Sequence, residues 1–221
     1  MALSMPIEKF LKDGLMSNKV KVIWSTPNGE DLIAHMARVS APANQEAATD
    51  PVRLLKYLVK NKHWSPFEMV NVCMEIETTR DIARQILRHR SFSFQEFSQR
   101  YAEVQGYSLS EARMQDTKNR QNSLETEDRE LQEWWATKQR EALRSARMVY
   151  DEALAIGIAK EVARKVLPEG ITMSKMYMNG TLRSWMHYVD IRCDAATQKE
   201  HRDVALKCKE ELIKLFPNIG V

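Results

Sequence analysis

The sequence predicts an α+β chain, mostly helical with a small antiparallel sheet, organised as a single domain over residues 1–221. Three observations predict it. Val70, Val72, Met74 and Ile76 alternate with Asn71, Cys73, Glu75 and Glu77, the period-two pattern of a strand with one buried face. Several longer stretches repeat apolar residues at helical spacing. With only seven glycines and seven prolines, the chain has little material for long flexible linkers.

The elements follow in order. Val20 to Trp24 is β-prone and closes at the turn signal Pro27-Asn28-Gly29. Glu30 to Ser40 reads as a helix ended by Pro42. Asp50-Pro51 opens another, with Leu54, Leu55, Leu58 and Val59 on its apolar face. His63 to Glu68 connects it to the alternating strand. Thr78 to Asp81 looks like a helix start, a hydroxyl three residues before an acid. Ile82, Ala83, Ile86 and Leu87 form that helix's apolar face, and Gln85, Arg88 and His89 share another.

From Glu103 to Glu125 neither period holds, which predicts a long ordered loop. A long helix is expected from Thr126 to Ile156 and a second from Ala159 to before Pro168. A further strand is expected near Ile171 to Met178. Asn179-Gly180-Thr181 reads as a turn and cap before a helix carrying Leu182, Trp185, Met186 and Val189. A final helix spans Thr197 to Leu215 and stops at Pro217.

Composition narrows the function classes. The formal net charge of +3, from 33 basic and 30 acidic residues, does not by itself argue for nucleic acid. It suits an anionic small molecule held by a few local arginines. Cys73, Cys193 and Cys208 form no C-x-x-C pair, so neither a disulfide scaffold nor a zinc ribbon is expected, and no metal site. A reducing, cytoplasmic setting fits. No apolar run reaches the ~20 residues of a membrane span. Met1 to Phe10 lacks the apolar stretch of a signal peptide. The trios Trp24, Trp134, Trp135 and Met173, Met176, Met178 are read as core packing.

The densest chemistry lies at Arg88-His89-Arg90. Alone, this triplet reads as a helix C-cap, where cations offset the dipole. It is followed within fourteen residues by Ser93, Gln95, Glu96, Ser98, Arg100 and Tyr101, interleaved with Phe92, Phe94 and Phe97. Such a run also suits a solvated hairpin or a stacking surface for single-stranded nucleic acid.

The spacing is specific enough for a resemblance. The stretch from Arg88 to Tyr101 resembles the signature of flavin-dependent thymidylate synthases, R-H-R-x-x-S-x-N-E-x-S-x-R-Y. Arg88, His89, Arg90, Ser93, Glu96, Ser98, Arg100 and Tyr101 match it, and Gln95 replaces its asparagine. His63 to Glu68 resembles the family's H-x-S/T-x-x-E segment, and Ala163 to Pro168 its A-R-x-x-L-P segment. His187 stands where bacterial members commonly carry asparagine. With Gln95 and Phe94, it is more like the short viral branch.

The resemblance implies that dUMP is methylated to dTMP. Methylenetetrahydrofolate would give the one-carbon unit, and FAD re-reduced by NADPH the hydride. It implies a homotetramer with shared sites, in a bacterial cytoplasm or a virus-infected cell. Flavin-side candidates are His63, Ser65, Arg88, His89, Arg90, Glu96, Thr181, Arg183 and His187. Arg183 and His187 are four apart on one helix face. Nucleotide candidates are Gln85, Arg88, Glu96, Ser98, Gln99, Arg100 and Arg164, because phosphate favours guanidinium forks, hydroxyls and amides. By resemblance Arg192 is the catalytic group, stabilising the ionised uracil ring.

Each assignment has an ordinary counterpart: a surface arginine near a helix end for Arg192, and carbonyl-satisfied histidines for His63 and His187. Ser98 reads as a nucleotide contact rather than a nucleophile, because no G-x-S-x-G elbow surrounds it. The classical, unrelated thymidylate synthase uses a cysteine in a Pro-Cys context, and none of the three cysteines follows a proline. A flavin oxidoreductase without methyl transfer and a basic, aromatic RNA-binding module remain as alternatives.

Overall fold

Turn chemistry and apolar spacing cut the chain into short strands and amphipathic helices. A computed structural model describes residues 11–15, 18–45, 50–104 and 106–220. In chain order these hold β1 (Leu11–Leu15), β2 (Lys19–Ser25), α1 (Gly29–Ala37), α2 (Pro42–Gln45), α3 (Pro51–Lys60), β3 (Asn71–Thr79), α4 (Arg80–Ile86) and β4 (Ser93–Glu96). Then follow β5 (Tyr107–Leu109), β6 (Arg113–Gln115), β7 (Ser123–Glu125), α5 (Arg129–Ala155), α6 (Lys160–Ala163), β8 (Met173–Thr181), α7 (Leu182–Arg192) and α8 (Lys199–Leu215). Helix therefore predominates over strand, the expected α+β class. The signal-peptide reading of Met1 to Phe10 falls outside the described residues.

The chain divides into two compact units. Among the described residues, the first comprises 11–15, 18, 77–86, 96–104 and 106–175; the second comprises 19–45, 50–76, 87–95 and 176–220.

In the first unit, the core is built on α5. Its Leu143 and Tyr150 are buried with Val104, Tyr107, Ala163, Leu167 and Ile171. Asp128 caps the helix by accepting the Leu131 N–H at 3.0 Å. Gln139 on the same helix takes the Ser110 N–H at its Oε1 and donates to the Ser110 carbonyl, both at 2.9 Å. Gln132 treats Ala112 likewise, at 2.8 and 2.9 Å. These two amides satisfy backbone groups that would otherwise be left buried and unpaired.

The expected loop from Glu103 to Glu125 is thus corrected: it contains β5 and a β6–β7 hairpin, with Met114 opposite Leu124. Its strands are three residues each, too short for a period to register, and β5 is buried throughout. It pairs in parallel with β1.

Strands β2, β3, β8 and β4 form a sheet in that order, and α7 and α8 of the second unit pack together. Trp185, fully buried on α7, donates its indole N–H to the Val72 carbonyl at 3.0 Å. Phe92 packs edge-on against that indole, with ring centroids 4.9 Å apart. Gly180 is needed here, because a Cβ would overlap the Phe92 ring. Asp50 caps α3 as expected, accepting the Val52 N–H at 2.9 Å.

Four local expectations are corrected. In β3 the alternating positions Val72, Met74 and Ile76 are buried, but Cys73 is buried too, because β3 is an inner strand of the sheet. Helix α1 ends at Ala37 in a turn closed by Arg38, and Pro42 opens α2. Asn179 and Gly180 belong to β8, and only Thr181 acts as the cap, accepting the Ser184 N–H at 3.2 Å. Thr79, not Thr78, bonds Asp81 at the start of α4. Cys73, Cys193 and Cys208 are free thiols. No described helix is long and apolar enough to cross a membrane.

Candidate functional site

The predicted site residues divide between the units. Gln85, Glu96, Ser98, Gln99, Arg100 and Arg164 lie in the first. His63, Ser65, Arg88, His89, Arg90, Thr181, Arg183, His187 and Arg192 lie in the second.

In the first unit most charges are answered by other charges. Glu96 ends β4, and its Oε1 accepts from Ser174 at 2.7 Å and from the buried Arg80 at 3.5 Å. Arg80 also reaches Glu169 at 4.0 Å. Glu169 takes both arms of Arg84, one of them at 2.6 Å. The Arg84 hydrogen bond, together with the charges of Arg84, Arg80 and Arg164, holds the Glu169 carboxyl below its ordinary range against the cost of burial.

Arg100 pairs with Glu161 on α6 at 3.1 Å, and Lys160 donates to the Tyr101 carbonyl at 3.4 Å. Arg164 follows α6 directly. The signature's end and the A-R-x-x-L-P segment therefore meet at one short helix. Gln99 is buried, and its amide nitrogen has no partner among the described residues. An unanswered buried donor is costly unless a ligand supplies the acceptor. Ser98 accepts the Arg100 N–H at 3.4 Å, and among the described residues no imidazole bonds it.

In the second unit Arg183 is paired with a carboxylate in the same way, but Arg88, Arg90 and Arg192 are not. Helix α4 stops at Ile86, so Arg88-His89-Arg90 lies in the turn beyond it rather than on its last turn. Arg88 and Arg90 are exposed and make no ion pair among the described residues. His89 is half-buried, and its Nε2 accepts the Arg192 Nε–H at 3.0 Å. Burial first, then the charges of Arg192, His187 and Arg88, lower its pKa to about 4. The ring is therefore neutral at pH 7, with its proton on Nδ1.

Thr181, Arg183 and His187 line a cleft of about 860 Å³ together with Trp64, Glu68 and Ser91. Its lip is braced by Glu68, which takes Arg183 Nη1 at 2.6 Å and the Thr181 hydroxyl at 3.0 Å. Arg183 and His187 sit one turn apart on α7, as their spacing predicts. His63 is exposed, its ring edge-on to Tyr57, and Ser65 opens the short 3₁₀ turn Ser65–Met69.

Sequence reasoning did not assign Glu68, Arg80 or Glu169. Glu68 stood in a quoted motif, but its partner Arg183 lies 115 residues away, beyond any local signal. Among the described residues, no group of three or more His, Cys, Asp or Glu is placed to hold a metal ion.

Comparisons with known proteins converge. Residues 21–218 match the family described as Thymidylate synthase complementing protein. The chain is 52% identical over 191 residues to the flavin-dependent thymidylate synthase of Synechocystis, covering 86% of this chain and 87% of that protein. It is 48% identical over 207 residues to the probable flavin-dependent thymidylate synthase of Paramecium bursaria Chlorella virus 1, covering 93% and 95%. Among solved structures, the UMP/dUMP methylase PolB of Streptomyces cacaoi, bound with 5-Br dUMP, superposes with a TM-score of 0.84 at 25% identity, covering 96% of this chain and 95% of that one.

Proposed function

Because the chain belongs to the family of flavin-dependent thymidylate synthases, we propose that it methylates dUMP to dTMP, with methylenetetrahydrofolate as one-carbon donor and FAD, reduced by NADPH, as hydride carrier. The observation that carries this reading is the bond from Arg192 to neutral His89. It spends Nε and leaves both terminal nitrogens of the guanidinium for a planar acceptor pair such as N3 and O2 of an ionised uracil ring.

The residues present fit an anionic flavin nucleotide. Arg88 and Arg90 are exposed and lack carboxylate partners among the described residues, and the cleft beside Arg183 and His187 has room for a ring. Reduced flavin, when bound, supplies the hydride that completes the methyl group. The chain's own residues do the rest. Arg88 and Arg90 neutralise phosphate charge, and Arg183, already paired with Glu68, joins Ser65, Thr181, His63 and His187 in offering polar contacts to the same cofactor. Ser98, Gln99, Arg100, Arg164, Gln85 and Glu96 hold the nucleotide. Arg192 favours the ring's ionised form and so raises electron density at C5.

Residues 1–221 act as one functional domain in this reading, and four copies assemble. The exposed apolar side chains Trp134, Met148 and Val149 along α5 support assembly. A bacterial cytoplasm or an infected host cell supplies the reduced co-substrates.

The purified protein should take up FAD and turn yellow. With dUMP, the folate and NADPH it should form dTMP and release tritium from uracil C5. NADPH oxidation without dTMP would instead mark a flavin oxidoreductase. A colourless protein with salt-dependent RNA affinity would mark a nucleic-acid module.

A further inference from the structure

Two buried polar groups behind the proposed site have no part in the chemistry above. His201 on α8 is completely buried, and its Nε2 lies 3.2 Å from the hydroxyl of Tyr188 on α7. Tyr188 is likewise completely buried, and its ring stands edge-on to His89, with centroids 5.0 Å apart at 82°. His89 in turn holds Arg192. All four residues belong to the second unit.

We propose that His201 and Tyr188 are positioning residues that fix the imidazole of His89, and through it the plane of the Arg192 guanidinium. This rests on the role given to Arg192 above. The geometry restricts each member. The His201 bond anchors the hydroxyl tip of the Tyr188 ring and so limits its sliding, while the surrounding packing holds its rotation about χ2. The tyrosine ring then blocks one edge of the imidazole. The imidazole can accept from Arg192 only while Nε2 is unprotonated.

Desolvation, followed by the charges of Arg192 and His89, keeps His201 neutral, with its pKa lowered to about 3. The groups acting on His89 are Arg88 beside it in the turn and His187 and Arg192 on α7. Neither histidine charges near neutral pH, so the arrangement is a fixed brace and not a switch. It also decides what His89 offers a flavin: with Nε2 occupied, only the Nδ1 proton remains, so His89 meets the cofactor as a donor.

Two measurements test the brace. In protein labelled with nitrogen-15 histidine, the wild-type spectrum should show His89 protonated at Nδ1 and hydrogen-bonded at an unprotonated Nε2, whether or not the protein is active. Tyr188→Phe should split or broaden that signal. The second is turnover per bound flavin. Tyr188→Phe should lower kcat for dTMP formation about tenfold, with KM for the folate little changed. His201→Gln, which keeps an amide near the hydroxyl, should lose less than Tyr188→Phe. A wild type without dTMP formation would sink the role of Arg192 while leaving the His89 spectrum to judge the brace. Nε2 found protonated, or a folded Tyr188→Phe enzyme with unchanged kcat and an unchanged His89 signal, would overturn the proposal.

Discussion

The two units differ in how they hold most of the site's arginines. In the first, Arg80, Arg84 and Arg100 face Glu96, Glu169 and Glu161. In the second, Arg183 pairs with Glu68, but Arg88 and Arg90 face no carboxylate among the described residues, and Arg192 meets a neutral imidazole. A guanidinium bonded to a carboxylate has its charge cancelled and serves the fold first. One bonded to a neutral ring keeps its full charge while its direction is set. The comparison teaches that a motif's arginines are not equivalent. Those of the triplet keep charge to offer an anion, whereas Arg100 must share it with Glu161.

The largest expected effect is at Arg192. Replacing it by alanine should lower dTMP formation by about a hundredfold or more, while FAD stays bound. Arg192→Lys should not restore it, because an ammonium has no planar fork. Near-normal turnover in Arg192→Ala, read beside the flavin absorbance, would erase the distinction between the units.

Acid should come next. The folded pKa of His89 is about 4 and that of His201 about 3, both depressed below the ordinary 6.5. For a base whose folded pKa is depressed, the unfolded state holds more protons between the two values. Stability is therefore fully present above pH ~6.5 and is lost as the pH falls toward 4 and then 3. Denaturant midpoints from pH 7 to 4 should fall with uptake of up to about two protons on unfolding. His89→Asn should reduce that uptake by about one.

In the first unit, Glu96→Ala should cost about 1–3 kcal/mol in urea unfolding, because it strips a partner from buried Arg80 and from Ser174. Loss of nucleotide affinity without loss of stability would show that Glu96 is a ligand group rather than a brace. Smallest of all in stability, Arg88→Ala and Arg90→Ala should each change unfolding free energy by less than about 0.5 kcal/mol. Each should still weaken FAD binding several-fold, more at low salt than at high, by fluorescence titration.

Much of this was legible in the residues. The alternation in β3, the caps at Asp50 and Thr181, and the i,i+4 pair Arg183 and His187 are local patterns, and local patterns survive folding. What was not legible was short or long-range. The strands of the β6–β7 hairpin are too brief to carry a period. Two glutamines on α5, Gln132 and Gln139, order the connection between β5 and β6 by bonding the backbone of Ala112 and Ser110. The braces Glu68–Arg183 and Arg80–Glu96–Ser174 join residues from separate segments, with nothing in the intervening chain to announce them.

The sequence by itself determined the α+β class, the position of nearly every helix, and the resemblance at Arg88 to Tyr101 that points to a flavin and a uridylate. Its information is about spacing along the chain. Tertiary structure alone decided which arginines are free and which are spent, because that depends on the carboxylate or imidazole brought within about 3 Å by distant segments. His89 shows the difference most directly. In sequence it is the middle of a cationic triplet. In the folded chain, burial and neighbouring cations make it a neutral acceptor for Arg192.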